Sequence, residues 1–233
     1  MDMNYSYLLL DMDMTLLDFK KSEKYAFAGV MESLGLKFTE YDHSRFSHVN
    51  EELWKRLEKG LINRGQLLAT RFGIFSEEWG VDPARLNEMF IKNLAARDDK
   101  LPGAEDFLKA LKACGKYRIY IATNGPVFTV MGRINASDLA KYADGIYISE
   151  KIGASKPDPA FFEYIFADMG DHDTSHYLMI GDRLSSDIKG ANNAGMDCVL
   201  FAHDGIFPED IQGYSINYFA GSYKELQDLL EVP

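Results

Sequence analysis

Two cysteines in 233 residues, Cys114 and Cys198, leave nothing from which to build a disulfide framework. They lie far apart, in an expected helix end and an expected strand, and buried thiols in a reducing compartment are the plain reading of both. Long apolar runs are missing too. Stretches such as Tyr7–Leu10 and Val199–Ala202 fall far below the roughly 20 residues that span a bilayer, and no basic segment precedes the first of them. No membrane role is expected, and a cytoplasmic protein is. Positive charge is scarce: 25 Lys and Arg face 36 Asp and Glu, a formal net charge of −11. Such a chain repels polyanions, so nucleic-acid polymers are poor partners. The five histidines make no site. His43 and His48 are off the i, i+4 spacing of a shared helix face, and His172 and His176 straddle a polar loop, so solvated or locally bonded rings are expected. Internal repeats and low-complexity tracts are absent.

What is present is a series of short apolar segments, each running into a polar or glycine-rich turn: Tyr5–Leu10, Arg118–Ala122, Gly145–Ile148, His176–Ile180 and Asp197–Phe201. Their apolarity is continuous rather than alternating, and helical patterns separate them from residue 101 onward. Strands covered on both faces follow, and with them an α/β fold in which a parallel sheet lies between helical layers. Ligands in such sheets sit at the carboxyl ends of strands.

About 110 residues separate the first two segments, far more than one crossover helix uses, so an inserted helical domain is expected. Phe27, Val30, Met31 and Leu34 form one helical stripe; Phe46, Val49, Leu53 and Leu57 a second; Leu68, Phe72, Phe75 and Trp79 a third. A fourth helix starts at Asp82-Pro83 and carries Leu86, Met89, Phe90 and Asn93 on one face. The reading is a small four-helix bundle over 18–100, inserted in a core of 1–17 plus 101–233, with hinges near Leu17–Lys20 and Asp98–Gly103.

Chemistry-bearing residues follow the strands. Asp11-Met12-Asp13-Met14-Thr15 places two carboxylates where both reach one ligand, one to attack phosphorus and the other to handle a proton, although an isolated Asp-x-Asp is also a common solvated turn. Thr123-Asn124-Gly125 offers a hydroxyl, an amide and backbone N–H groups to phosphoryl oxygens, or is an ordinary Asn-Gly turn. Lys156 stands in Ser155-Lys156-Pro157-Asp158-Pro159, a plausible helix start; alone it reads as solvated. Gly181-Asp182 and Asp187 add carboxylates suited to magnesium, which takes a few acidic ligands plus a substrate phosphate; Asp187 also reads as an N-cap. Four carboxylates in one crevice would repel a phosphate dianion, so the set makes sense with a divalent cation and Lys156 present.

The order Asp-x-Asp-x-Thr, Thr-Asn-Gly, Lys-Pro, Gly-Asp-x₄-Asp resembles the four motifs of the haloacid dehalogenase-like hydrolase superfamily, across the sheet domain from end to end. That resemblance implies a Rossmann-like three-layer core and a Mg²⁺-dependent phosphomonoester hydrolase. It implies Asp11 as nucleophile, Asp13 as acid and base, and Thr123, Asn124, Gly125 and Lys156 around the phosphoryl group. Magnesium would be held by Asp11, the Asp13 carbonyl and Asp182, with Asp187 behind them holding a metal-bound water or orienting Lys156. Asp13 separates the chain from the dehalogenases, which lack it. Arg183, where relatives carry a small hydroxyl residue, and Pro126 are departures. Asn50-Glu51-Glu52-Leu53-Trp54, Gly60, Gln66-Leu67 and Arg71-Phe72, with Ile148-Ser149-Glu150 and Asn192–Gly195, are similar to the pyrimidine 5′-nucleotidase branch. Nucleoside 5′-monophosphates are then the expected substrates, a cap is expected to close over them, and Asn50 and Arg71 are specificity candidates. Acylated-sugar or sugar phosphate hydrolysis, a sugar-phosphate mutase and a phospho-accepting receiver module remain alternatives; the receiver fits poorly because it has no need of the insert.

Overall fold

A computed structural model describes residues 4–233. Six strands form one sheet: β1 (Tyr7–Leu10), β2 (Arg118–Thr123), β3 (Gly145–Ile148), β4 (Tyr177–Gly181), β5 (Asp197–Phe201) and β6 (Tyr218–Ala220). Every neighbouring pair is parallel, in the order β3-β2-β1-β4-β5-β6. The first and fourth strands start later than the apolar segments suggest. Sequence reading missed β6, whose three residues are too short for a recognisable apolar run.

Eleven α-helices accompany the sheet among the described residues. They are α1 (Phe19–Ser33), α2 (Glu40–Glu58), α3 (Arg64–Thr70), α4 (Gly73–Trp79), α5 (Pro83–Ala95), α6 (Ala104–Cys114), α7 (Val127–Ser137), α8 (Ser149–Ile152), α9 (Pro159–Met169), α10 (Lys189–Ala194) and α11 (Tyr223–Leu229). Because side chains alternate along a strand, each strand feeds both faces of the sheet. On one face Leu9, Ala122, Met179, Cys198 and Leu200 meet Phe161, Phe162 and Ile165 of α9 and Ala191 of α10. On the other, the Phe201 ring lies tilted 5.0 Å from Tyr223 of α11, which in turn stacks on Phe107 of α6. The central strands are buried on both sides, which is why they read as unbroken apolar runs.

The chain divides into two compact units. The sheet unit takes the described residues up to Phe19 together with Asp99–Val127 and Ser137–Pro233; the helical unit takes Lys20–Asp98 and Phe128–Ala136. The last stretch, most of α7, was read from sequence as part of the sheet unit. It belongs with the helices because Gly132 lets the backbones touch: a Cβ there would lie 2.5 Å from the Ala95 carbonyl oxygen. Where the chain leaves and re-enters the sheet unit, the two passages run side by side, with Asp18 N–H donating to Asp99 O and Leu101 N–H to Leu16 O.

The helical unit is held by aromatics. Phe27, Phe46, Phe72, Phe75 and Phe90 are all fully buried. Phe46 sits at their centre, with ring centroids of Phe27, Phe72 and Phe90 at 4.9, 4.7 and 4.9 Å. Phe46→Ala should cost about 3–5 kcal/mol, measured as earlier urea unfolding of this unit. The third helical stripe is not one helix: it breaks at Arg71-Phe72 into α3 and α4, and Leu67, not Leu68, is the buried residue of α3. Gly73, a poor helix former, stands at the break. The Asn63/Gln66 capping box then starts α3 separately, as Asp82 with Pro83 starts α5.

Candidate active site

The strand order brings the motifs together. β1 lies between β2 and β4, so Asp11, Thr123 and Asp182 emerge from three adjacent strands at one end of the sheet. Asp11 N–H still donates to Ile180 O at 2.9 Å, which ties the first carboxylate to the strand that delivers the second. Beyond Asp11 the chain turns at Met14, a non-glycine residue at φ +59°, and Asp13 pairs with Leu17 through the backbone. Such a conformation costs energy and persists only where its surroundings impose it.

Lys156 arrives from the segment between α8 and α9, and its ammonium is buried among acceptors. Nζ donates to Asp11 Oδ1 at 2.7 Å, Asp187 Oδ1 at 2.7 Å and the Ala122 carbonyl at 2.6 Å. All three of its protons are used. Burial opposes the charge, but Asp11 and Asp187 outweigh it and hold the ammonium above its usual range.

Asp187 lies in the wide helical turn Leu184–Ile188. Its Oδ2 accepts the Arg183 N–H at 3.0 Å, so it ties back the turn that contains it instead of capping a helix start. The carboxylate fits because residue 181 is glycine: a Cβ there would lie 2.4 Å from Asp187 Oδ2. Sequence reading missed this close approach and the Ala122 carbonyl; glycine ahead of Asp182 is a visible signal only once Asp187 is known to sit behind it.

One oxygen from each of Asp11, Asp182 and Asp187 can be chosen so that all lie within 4.8 Å of one another. Burial first, then the neighbouring carboxylates, pushes Asp11 up to about 7 against the pull of Lys156. Burial, Asp11 and Asp187 raise Asp182 well above the carboxylate range. Three desolvated carboxylates against one ammonium are electrostatically incomplete, and hard oxygen donors this close fit a divalent cation such as Mg²⁺.

The Thr-Asn-Gly turn folds in on the protein. Thr123 Oγ1 accepts the Gly125 N–H at 3.2 Å. The Asn124 side chain, read from sequence as a phosphate contact, is turned to the Lys156 backbone: Nδ2 donates to the Lys156 carbonyl at 2.8 Å and Oδ1 accepts the Lys156 N–H at 2.9 Å.

The two specificity candidates are buried in the helical unit, at 1% exposure for Asn50 and 3% for Arg71. Asn50 Nδ2 donates to Glu23 Oε1 at 2.8 Å. Arg71 Nε donates to Asn87 Oδ1 at 2.7 Å, and its guanidinium lies 4.6 Å from the Phe90 ring centre. Burial pulls Arg71 down to about 9, with Glu23 opposing. Glu23 was missed because one acidic residue in a helix start carries no signal. Of the histidines, His176 is bonded locally, with Nδ1 2.8 Å from Asp171 Oδ2, whereas His43 Nε2 lies 3.6 Å from Glu23 Oε2 and His203 Nε2 lies 3.0 Å from Pro102 O. No helix among the described residues is long and apolar enough to cross a membrane.

Comparisons with known proteins show the family. A family model described as haloacid dehalogenase-like hydrolase matches residues 5–195. Pyrimidine 5′-nucleotidase YjjG of Escherichia coli is 34% identical over 98% of this chain and 99% of its own length. Pyrimidine 5′-nucleotidase PynA of Streptococcus pneumoniae is 33% identical over 98% and 96%. Among solved structures, the putative HAD-hydrolase YfnB of Bacillus subtilis, bound to magnesium, superposes with a TM-score of 0.90 at 29% identity, covering 98% of this chain and all of that one.

Proposed function

Because the chain belongs to the haloacid dehalogenase-like hydrolases, we propose that this phosphatase acts on nucleoside 5′-monophosphates, preferring pyrimidine forms, through a phosphorylated Asp11. The observation that carries the chemistry is the Asp11–Lys156–Asp187 chain of contacts at the strand ends, with Thr123 one strand away. The substrate class is supported by the names of the two relatives that match nearly end to end.

In this mechanism a carboxylate oxygen of Asp11 attacks phosphorus in line with the ester oxygen. The ester P–O bond breaks, and Asp13 delivers its proton to the leaving alkoxide. A water then gives its proton to Asp13 and attacks the phosphorus of the acyl phosphate, releasing inorganic phosphate and restoring Asp11. The Thr123 hydroxyl donates to a phosphoryl oxygen. Lys156 already spends its three donors on the protein, so its contribution is charge held beside the nucleophile. Asp11, the Asp13 carbonyl and Asp182 would hold Mg²⁺, which supplies the positive charge that offsets the carboxylates and the phosphate. Asp187 keeps Lys156 in place behind them. Asn50 and Arg71 remain the specificity candidates within the helical unit, read here as a substrate-closing cap.

The test is phosphate release from a panel of nucleoside, sugar and amino-acid monophosphates, with magnesium and with chelator. Expected is release that needs magnesium and is at least about tenfold faster, in kcat/KM, for pyrimidine nucleotides than for sugar phosphates. Equal rates on both would discard the nucleotide reading and keep the phosphatase. Isomerisation of a sugar phosphate without net release would overturn both.

A further inference from the structure

The turn that carries Asn124 is read by motif as a phosphate cradle, yet its amide is committed elsewhere. A single side chain satisfies both polar groups of one residue's backbone, accepting the Lys156 N–H and donating to the Lys156 carbonyl. Two parallel contacts fix orientation as well as position. The flanking backbone is tied as well, with Asp158 N–H donating to Ser155 O at 2.8 Å and Asn193 Nδ2 to Pro157 O at 3.0 Å, but it is Asn124 that engages the peptide groups of Lys156 itself. Lys156 stands between α8 and α9, outside any strand ladder, and Pro157 follows it with no N–H to offer. Its ammonium, four carbons away, must meet Asp11, Asp187 and the Ala122 carbonyl together, at 2.6–2.7 Å. Such a constellation tolerates only about 0.5 Å of displacement. The backbone of Lys156 is therefore the point from which the whole chain of contacts is aimed.

We propose that Asn124 is a positioning residue: it clamps the Lys156 backbone so that the ammonium bridges Asp11 and Asp187, and it is not a ligand of the phosphoryl group. Asparagine suits the task chemically. It presents one acceptor and one donor on a short arm. Aspartate keeps the acceptor but sets a second negative oxygen against the Lys156 carbonyl; alanine offers neither. Were the amide turned to a phosphate, both backbone groups of Lys156 would lose these partners, an outcome folded proteins avoid. The inference rests on the phosphatase reading only for the role of Lys156.

The test combines kinetics with a chemical probe. In magnesium, with uridine 5′-monophosphate or p-nitrophenyl phosphate as substrate, Asn124→Ala should lower kcat by about 10- to 100-fold and leave KM within about threefold. In a Lys156→Met background the same change should cost little more, because a residue that acts through Lys156 has nothing left to position. Asn124→Asp, which keeps one of the two contacts, should fall between wild type and the alanine variant, and it serves if the alanine variant fails to fold. Separately, acetylation of Lys156 by acetic anhydride, read by mass spectrometry, should accelerate at least about tenfold in the folded Asn124→Ala protein, because an ammonium locked on three acceptors is shielded. A raised KM with kcat intact, or losses that multiply with Lys156→Met, would make Asn124 a substrate ligand and overturn the proposal. If the wild-type protein released phosphate from no substrate, the phosphatase reading would fail alone; unchanged acetylation in the variant would then sink the positioning role on its own.

Discussion

Replacing Asp11 by asparagine abolishes phosphate release, by at least about four orders of magnitude, and makes the cation-free protein harder to unfold at neutral pH. The first effect follows from removal of the attacking oxygen. The second follows from the crowding of carboxylates: burial and its acidic neighbours push Asp11 from 3.8 up to about 7. Between those values the folded state binds more protons than the unfolded chain, so this group's contribution to stability declines as pH rises through the window. Asparagine does not ionise and removes that decline. Without magnesium, Asp11→Asn should melt roughly 3 °C or more above wild type at pH 7.5, with the gap closing towards pH 5. With magnesium the order reverses, because the variant has lost a ligand. Calorimetry at two pH values, with magnesium and with chelator, reads all four cases. A variant that melts lower than wild type without cation at pH 7.5 would contradict the electrostatic account.

Lys156→Met is expected to be strongly destabilising to the sheet unit. It leaves Asp11 and Asp187 buried with their shared cation gone, and a buried carboxylate stripped of its partner typically costs about 3–5 kcal/mol. Activity should fall about 10²- to 10³-fold, the usual effect of deleting one charged stabiliser in a dry site. The stability loss should be larger at pH 8 than at pH 5.5, since Asp11, raised to about 7, is mostly protonated at the lower value, and magnesium should restore part of it at pH 8. Urea denaturation with and without magnesium measures both. A loss independent of pH would show packing, not charge, as the main contribution of the side chain.

Much of this site is legible in the sequence. Parallel strands covered on both faces read as continuous apolar runs, and in such sheets functional residues follow the strand ends, so Asp11, Thr123 and Asp182 could be found by position alone. Helical stripes around Phe27, Phe46 and Phe90 were visible because a core needs one face of each helix. These signals are local: each depends on residues within a turn or a strand of one another.

Contacts between distant segments were not legible. The strand order, the late strand β6 and the attachment of Phe128–Ala136 to the helical unit depend on pairings that no local pattern records. The break between α3 and α4 was hidden because Leu68, Phe72, Phe75 and Trp79 keep helical spacing across it. Asn50 and Arg71, polar within or beside apolar stripes, read as specificity candidates; that Glu23, Asn87 and Phe90 receive them inside the unit was not legible. At the site itself the sequence determined which residues stand at the strand ends, since that follows from apolar run length and order. Only the tertiary structure decided what each of them touches: Lys156 joins Asp11 to Asp187, and Asn124 turns to the lysine backbone, because these partners lie 31 to 145 residues apart and meet only once the sheet has aligned their strands.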